Sequence, residues 1–382
     1  MTEAHGYLKA LLANLRGLRE KAGLSESQLE DRLILGPGWI SRFENGETVP
    51  SIDMVLALLH EMNANFNQLL DGLPDPEALE VERLIFAEEA GKDIIINFRY
   101  ANHDAQYKLQ GASLDQFEEV IKTLRDGLAR LAVAEKNQSE AFKTDSVARA
   151  FLNATSLWPA ANPSDLWWFL VYRAYCDPFN HPAQFARLDF TQSWKRTGGW
   201  ALEEILVRHY GPFLKSKGVN LFIADGAEKQ RIVGGLNLED RIEADKIDVV
   251  LTGDTPQGPQ FFGVVHVKAS FAERRTDDVP LSIALSRAGY TSPLWTMDCK
   301  SMPGEKPINR GELGDADGRR SAKRKDIEDE GYFTGCFSYN RLTQPSAAAL
   351  PAERRVQVCD FSNPDDVFSQ FILRRWQQFR ST

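Results

Sequence analysis

Apolar residues recur at helical spacing from the start of the chain. Leu8, Leu11, Leu12, Leu15 and Leu18 share one stripe, and Gly23 ends the run. Ser25 is placed as the N-cap of a second helix through Leu33. A short third helix carries Trp39, Ile40 and Phe43 and stops at Asn45-Gly46. Pro50 and Ser51 open a fourth with Met54, Leu56, Leu58 and Leu59, and 65–73 makes a fifth. The Gly/Pro-rich stretch 71–76 is the first boundary. Beyond it, 93–100 and 107–110 predict a hairpin. An amphipathic helix over 113–134 follows, with Phe117, Val120, Ile121, Leu124 and Leu128 on one face. Further helices are expected over 146–155 and 164–175, where Trp158, Trp167 and Trp168 read as core anchors.

From 191 the period changes repeatedly between helix and strand. A helix is expected over 199–214 and strands over 246–252 and 261–269, joined by a turn-rich segment. A helix over 280–289, strands over 294–299, 335–339 and 356–361, and a closing helix over 366–379 complete the pattern. The fold expected is multidomain: an all-α unit over 1–75, a mainly helical scaffold with a hairpin over 76–190, and an α/β domain with a mixed sheet over 191–382. The length of 382 residues suits two or three domains.

Composition narrows the function classes. Apolar residues at 43% and charged residues at 26% exclude a wholly disordered chain. The four cysteines, at 176, 299, 336 and 359, make no CxxC pair, so neither a disulfide scaffold nor a zinc site is expected, and a reducing cytoplasm fits. No apolar run approaches a membrane span, and no secretion signal is visible. The net charge of −9 argues against a protein that coats nucleic acid, while leaving room for a local basic grip.

The candidate chemistry centres on Asp248 and Lys268. With the turn near Gln257, Asp248 falls opposite His266, and the period of two sets His266 and Lys268 on the same face beside it. Such a pair alone is equally what a structural ion pair requires. The preceding helix adds a second acid. At 100° per residue, Leu202, Ile205, Leu206, His209, Tyr210 and Phe213 cluster on one side, Glu203 lies at their flank and Glu204 points away. Two carboxylates and a lysine on one surface are what metal-dependent phosphodiester cleavage needs: carboxylate oxygens hold Mg²⁺, and the lysine orients a water.

Three stretches carry a resemblance: Ser193-Trp-Lys-Arg-Thr-Gly-Gly-Trp-Ala-Leu-Glu203, Lys246-Ile-Asp248, and His266-Val-Lys268-Ala-Ser-Phe-Ala-Glu-Arg274. Over about 145–300 the chain resembles the PD-(D/E)XK nucleases, specifically the Type II restriction endonucleases of the BsaWI kind that read a CCGG core. The resemblance implies a Mg²⁺-dependent, sequence-specific double-strand DNA endonuclease with Asp248, Lys268 and Glu203 catalytic and Asp248 and Glu203 on the metal. It also implies a homodimer on a palindrome, a cognate DNA methyltransferase in a restriction–modification system, and a bacterial cytoplasm. The sequence departs from the pattern at Ile247, where a proline is usual, and at His266, where the second acid stands in many members. The CCGG group moves that acid to a later helix, yet 280–289 offers none. Glu203 then carries more of the ligation, with Asp277 or Asp278 helping. Glu273-Arg274-Arg275 resembles the group's reading element, so Ser270, Glu273, Arg274, Arg275, Asp277 and Asp278 form the expected DNA-reading stretch. Arginine pairs with guanine O6 and N7, and a carboxylate accepts from the cytosine amino group. Arg319–Lys325, five basic residues in seven, is either a phosphate clamp or a solvated loop.

The stretch 24–46 resembles the repressor-type helix-turn-helix, which sets Trp39, Ser41 and Arg42 on the DNA-facing helix. Glu26, Glu30 and Gly36-Pro-Gly depart from that pattern, and 1–75 holds eleven acids against six Lys and Arg. DNA contact, a protein-contact role or a relic all stay open for this unit. The alternative for the whole chain is a helix-turn-helix transcription regulator with a C-terminal sensor. Such a protein has no reason to assemble Glu203, Asp248 and Lys268.

Overall fold

The computed structural model describes residues 3–48, 50–73, 84–100, 103–135, 137–182, 190–236, 244–270, 275–300, 307, 309–314 and 320–381. By packing, the chain divides into two units, 1–83 and 84–382.

The first unit is five helices: α1 (Glu3–Lys21), α2 (Glu26–Arg32), α3 (Trp39–Glu44), α4 (Ile52–Glu61) and α5 (Phe66–Leu69). Their starts follow from capping chemistry. Ser25 forms a capping box with Gln28, Ser51 accepts from the Met54 amide, and Asn65 forms a second box with Gln68. Leu15, Leu18, Leu29, Ile40, Phe43, Val55, Leu58 and Leu69 fill the interior. One departure from the helix-turn-helix pattern has structural employment. Glu30 is buried and accepts the Ile40 amide of α3 at 2.9 Å, satisfying a donor that the helix start leaves open. Arg19 grips Glu44 through two bonds, at 2.6 and 2.8 Å.

The second unit opens with an antiparallel sheet of β1 (Ile85–Ala90), β2 (Asp93–Tyr100) and β3 (His103–Leu109) in that order. The long helices α6 (Leu114–Ala129) and α7 (Ser139–Leu157) follow. A π-helical turn, Leu166–Arg173, is flanked by the short α8 (Pro163–Asp165) and α9 (Ala174–Cys176). Trp158, Trp167 and Trp168 are all buried here. The next helix, α10 (Phe190–Lys215), starts nine residues before the pattern suggested. Trp194 holds this added segment, its ring 4.7 Å from Tyr172, 5.1 Å from Trp167 and 5.6 Å from Tyr175.

A six-stranded mixed sheet follows: β4 (Val219–Phe222), β5 (Val249–Thr255), β6 (Gly258–Lys268), β7 (Leu294–Thr296), β8 (Cys336–Ser338) and β9 (Val356–Val358), neighbours in that order. β4 to β6 pair antiparallel and β6 to β9 parallel. The parallel half needs crossovers, which contain α12 (Arg275–Arg287) and α13 (Ala322–Glu328). α11 (Gly226–Gly235) follows β4, and α14 (Val367–Ser381) closes the chain. One core runs from Ile96 and Phe98 through Phe151 and Trp167 to Leu202 and Leu206 of α10 and Val249 and Val265 of the sheet. Among the described residues, no helix is long and apolar enough to cross a membrane. Cys176, Cys336 and Cys359 are buried, and burial pushes the thiols of Cys299, Cys336 and Cys359 well up.

Gly263 of β6 lies against the Thr291 backbone just before β7. A Cβ there would stand 2.1 Å from the Thr291 carbonyl oxygen, and backbone cannot swing aside as a side chain can. Gly263→Ala should therefore cost about 1–3 kcal/mol of stability, read as a lower urea midpoint. An unchanged midpoint would show that the two strands do not approach this closely.

Candidate active site

The β5–β6 hairpin brings the acid and the lysine together. Val249 pairs with Val265, and one more step of that register sets Asp248 opposite His266. The Asp248 carboxylate accepts from Lys268 Nζ at 2.5 Å and from the Val267 amide at 2.9 Å, both on Oδ2. Asp248 and Lys268 are 7% and 8% exposed, so this is a buried pair, in which water screens little.

A third charged group completes it from α12. Asp278 Oδ1 lies 3.4 Å from Lys268 Nζ and 3.9 Å from His266 Nδ1. One ligand atom each from Asp248, His266 and Asp278 can be found within 4.8 Å of the others. Burial alone would raise the Asp278 carboxyl, but His266 and the Lys268 ammonium outweigh it and hold Asp278 below the ordinary range. Among the described residues, Asp278 Oδ2 and His266 Nδ1 have no hydrogen-bond partner.

The placement of Asp278 departs from the sequence expectation, which set it mainly in the DNA-reading stretch. The sequence pattern starts this helix at Pro280. In the structure α12 begins at Arg275 and runs through the proline. With the helix extended backwards, Asp278, Leu281, Ser282 and Leu285 form one buried stripe at i, i+3, i+4 and i+7. That spacing was the available signal, and the proline hid it.

Glu203 lies on the adjoining face of α10, 9% exposed. Burial, then the charge of Asp248, push its carboxyl up to about 8, against the pull of Lys229 and Lys268. Asp248 and Lys268 are thus within its electrostatic reach, although Glu203 stands outside the tight group of three. Glu204, expected to point away, lines the same cleft of about 690 Å³ as Glu203, together with Trp200, Asp145 and Arg208. It is held there by Arg208 at 2.9 Å.

The other expected site residues are placed as follows. Ser270 is half-buried just past β6. Glu273 and Arg274 lie outside the described residues, as do the side chains of Arg275 and Asp277. In the basic run, Arg319 is likewise outside. In the rest of that run Lys325 is exposed on α13, while the other three cations are engaged within the protein. Arg324 is fully buried on Glu328 at 2.8 Å and on two carbonyls, Lys323 meets Glu312 at 2.6 Å, and Arg320 pairs with Asp329. In the first unit, Arg42 is exposed with its guanidinium 5.5 Å over the Trp39 ring. Trp39 and Ser41 are half-buried.

Known proteins resemble this chain in sequence and in fold. Residues 10–61 match a helix-turn-helix domain family. The Type II restriction enzyme AgeI of Thalassovita gelatinovora is 38% identical over 245 residues, covering 62% of this chain and 86% of that enzyme. The crystal structure of specific restriction endonuclease AgeI in complex with DNA superposes with a TM-score of 0.64 at 33% identity, over 74% of this chain and 99% of that one. The pre-specific BsaWI–DNA complex gives 16% identity and a TM-score of 0.33, over 69% of this chain and 94% of that one, a likeness too low to bear an argument.

Glu203 also makes the fold pH-sensitive. Its folded value is raised from 4.5 to about 8, so its contribution to stability is complete at low pH and is lost as the pH climbs through about 8. Between pH 5 and pH 9 the metal-free native chain should lose stability relative to Glu203→Gln, measured as the gap between their urea midpoints. A constant gap would mean that Glu203 ionises as in water.

Proposed function

Since this chain belongs to the Type II restriction enzymes, we propose that it cuts double-stranded DNA hydrolytically at a palindrome with a CCGG-type core, using Mg²⁺. The observation that carries the reading is the convergence of Asp248, Asp278 and Lys268 at one end of the β5–β6 hairpin, with Glu203 beside them. The residues fit a divalent ion: two buried carboxylates lie close together, and one of their oxygens has no other partner. When bound, such an ion offsets the charge building on the scissile phosphate and acidifies the attacking water.

The chain's own groups divide the remaining work. Asp248 and Asp278 would hold the ion, with the ionised carboxylate of Glu203 beside them. Lys268, fixed between the two aspartates, directs an N–H toward the attacking water. The burial of all four strengthens each of these interactions over its value in water. Ser270, Glu273, Arg274, Arg275 and Asp277 follow Lys268 closely in the sequence, and we assign them the reading of C and G. Arg42 and Ser41 of α3, with Trp39 beneath the arginine, are a second DNA contact in this reading. Two copies act on the two strands of the palindrome, in a bacterial cytoplasm where a cognate methyltransferase protects the host's own sites.

Asp248→Ala should abolish cleavage of a supercoiled plasmid in Mg²⁺ while leaving DNA binding in a gel shift. Near-normal turnover would remove the assignment of this site. Glu203→Gln should cripple cleavage, and Glu204→Gln, which weakens the pair with Arg208, should leave it within a few-fold.

Specificity has its own test. Cleavage mapping on one sequenced plasmid should return sites with adjacent C and G pairs. Arg274→Ala should weaken specific binding by roughly ten- to a hundred-fold, the loss of one bidentate contact of about 1–3 kcal/mol, with little change in non-specific affinity. A target lacking adjacent C and G pairs would overturn the CCGG reading.

A further inference from the structure

His266 stands where a second acid is expected, and its surroundings give it a defined orientation. The ring is fully buried, edge-on to Phe333 with centroids 5.3 Å apart. Its Nε2 meets Ser292 Oγ at 2.8 Å. The Ser292 backbone is fixed on both sides: its amide donates to Thr334 Oγ1 at 2.8 Å, and its carbonyl accepts the Thr334 amide at 3.0 Å. The hydroxyl can accept a proton on Nε2, and that is the tautomer a ligating Nδ1 requires. That leaves the lone pair on Nδ1, the atom that faces Asp248 and Asp278 and has no hydrogen-bond partner among the described residues.

A buried polar atom without a partner carries an uncompensated desolvation cost, and Asp278 Oδ2 makes a second such atom at the same place. Both are satisfied together by a cation. A histidine that gives one nitrogen to a metal and the other N–H to a fixed acceptor is also the usual arrangement of a ligating imidazole.

We propose that His266 Nδ1 is a nitrogen ligand in the same site as Asp248 and Asp278, and that this mixed nitrogen–oxygen set selects Mn²⁺ over Mg²⁺. The inference rests on the metal reading given above. Exchanging a carboxylate for an imidazole removes one negative charge and one hard oxygen. Mg²⁺ depends on both, whereas Mn²⁺ stands nearer the transition ions that accept imidazole. In this arrangement Mg²⁺ still supports cleavage but is held more weakly.

The test uses the full chain without DNA, with Mn²⁺ alone as probe. Pulsed EPR of the Mn²⁺-loaded native protein should show imidazole ¹⁴N coupling, and His266→Asp should lose it. Calorimetric titrations should show the ratio of Mn²⁺ to Mg²⁺ affinity narrowing by at least about ten-fold in His266→Asp, the scale on which even residues that support a ligand act. Asp248→Asn separates the two levels of the argument. If it abolishes Mn²⁺ binding while the native protein shows no nitrogen coupling, the metal site stands and His266 only positions Asp278. If it leaves Mn²⁺ binding unchanged, the metal reading itself falls. Should His266→Asp fail to fold, the coupling in the native protein still decides.

Discussion

The contact between Asp248 and Lys268 places two full charges away from water at the edge of a hydrophobic core. A buried pair is tolerated only when its remaining donors and acceptors are also met. Here the Val267 amide takes part of the burden on Asp248, and Asp278 Oδ1 lies 3.4 Å from the ammonium. These groups come from two adjacent strands and from the helix that follows them. The register of the hairpin, the start of α12 and the path of β6 beside β7 are all therefore tied to one small cluster. The aromatic packing on the other face of α10 serves the same end, because it fixes the helix that carries Glu203.

Much of this was visible in the chain itself. The period-two runs located β5 and β6, and the hairpin register followed from the turn alone. The helical phase around Ala201 assigned Glu203 to the buried flank, where it is found. What escaped were features with weak local signatures. β4 is only four residues long, and β1 reads as Glu-rich. α12 was shortened by reading its proline as a start. Proline marks a helix boundary only as a tendency, and here the buried stripe ran through it. In the basic run 319–325, Arg320, Lys323 and Arg324 are engaged by Asp329, Glu312 and Glu328, partners that a count of charges does not reveal.

The helix-turn-helix unit teaches a related lesson about departures from a pattern. Glu30 looked anomalous at a helix crossing, where a small side chain is usual. Its carboxylate instead completes the N-terminus of α3, a position at which the peptide dipoles favour negative charge. The substitution thus alters how the two helices are held without altering their order. The acidic balance of this unit makes any DNA contact depend on a few exposed cations such as Arg42, rather than on a diffuse field.

The buried thiols have a practical corollary. A thiol reagent attacks the thiolate, and burial denies Cys336 and Cys359 both ionisation and access. One of them lies on β8 and the other just beyond β9, so their modification requires the far edge of the sheet to separate. The rate of their labelling in the intact chain consequently clocks that opening, and does so from residues that the catalytic cluster does not touch.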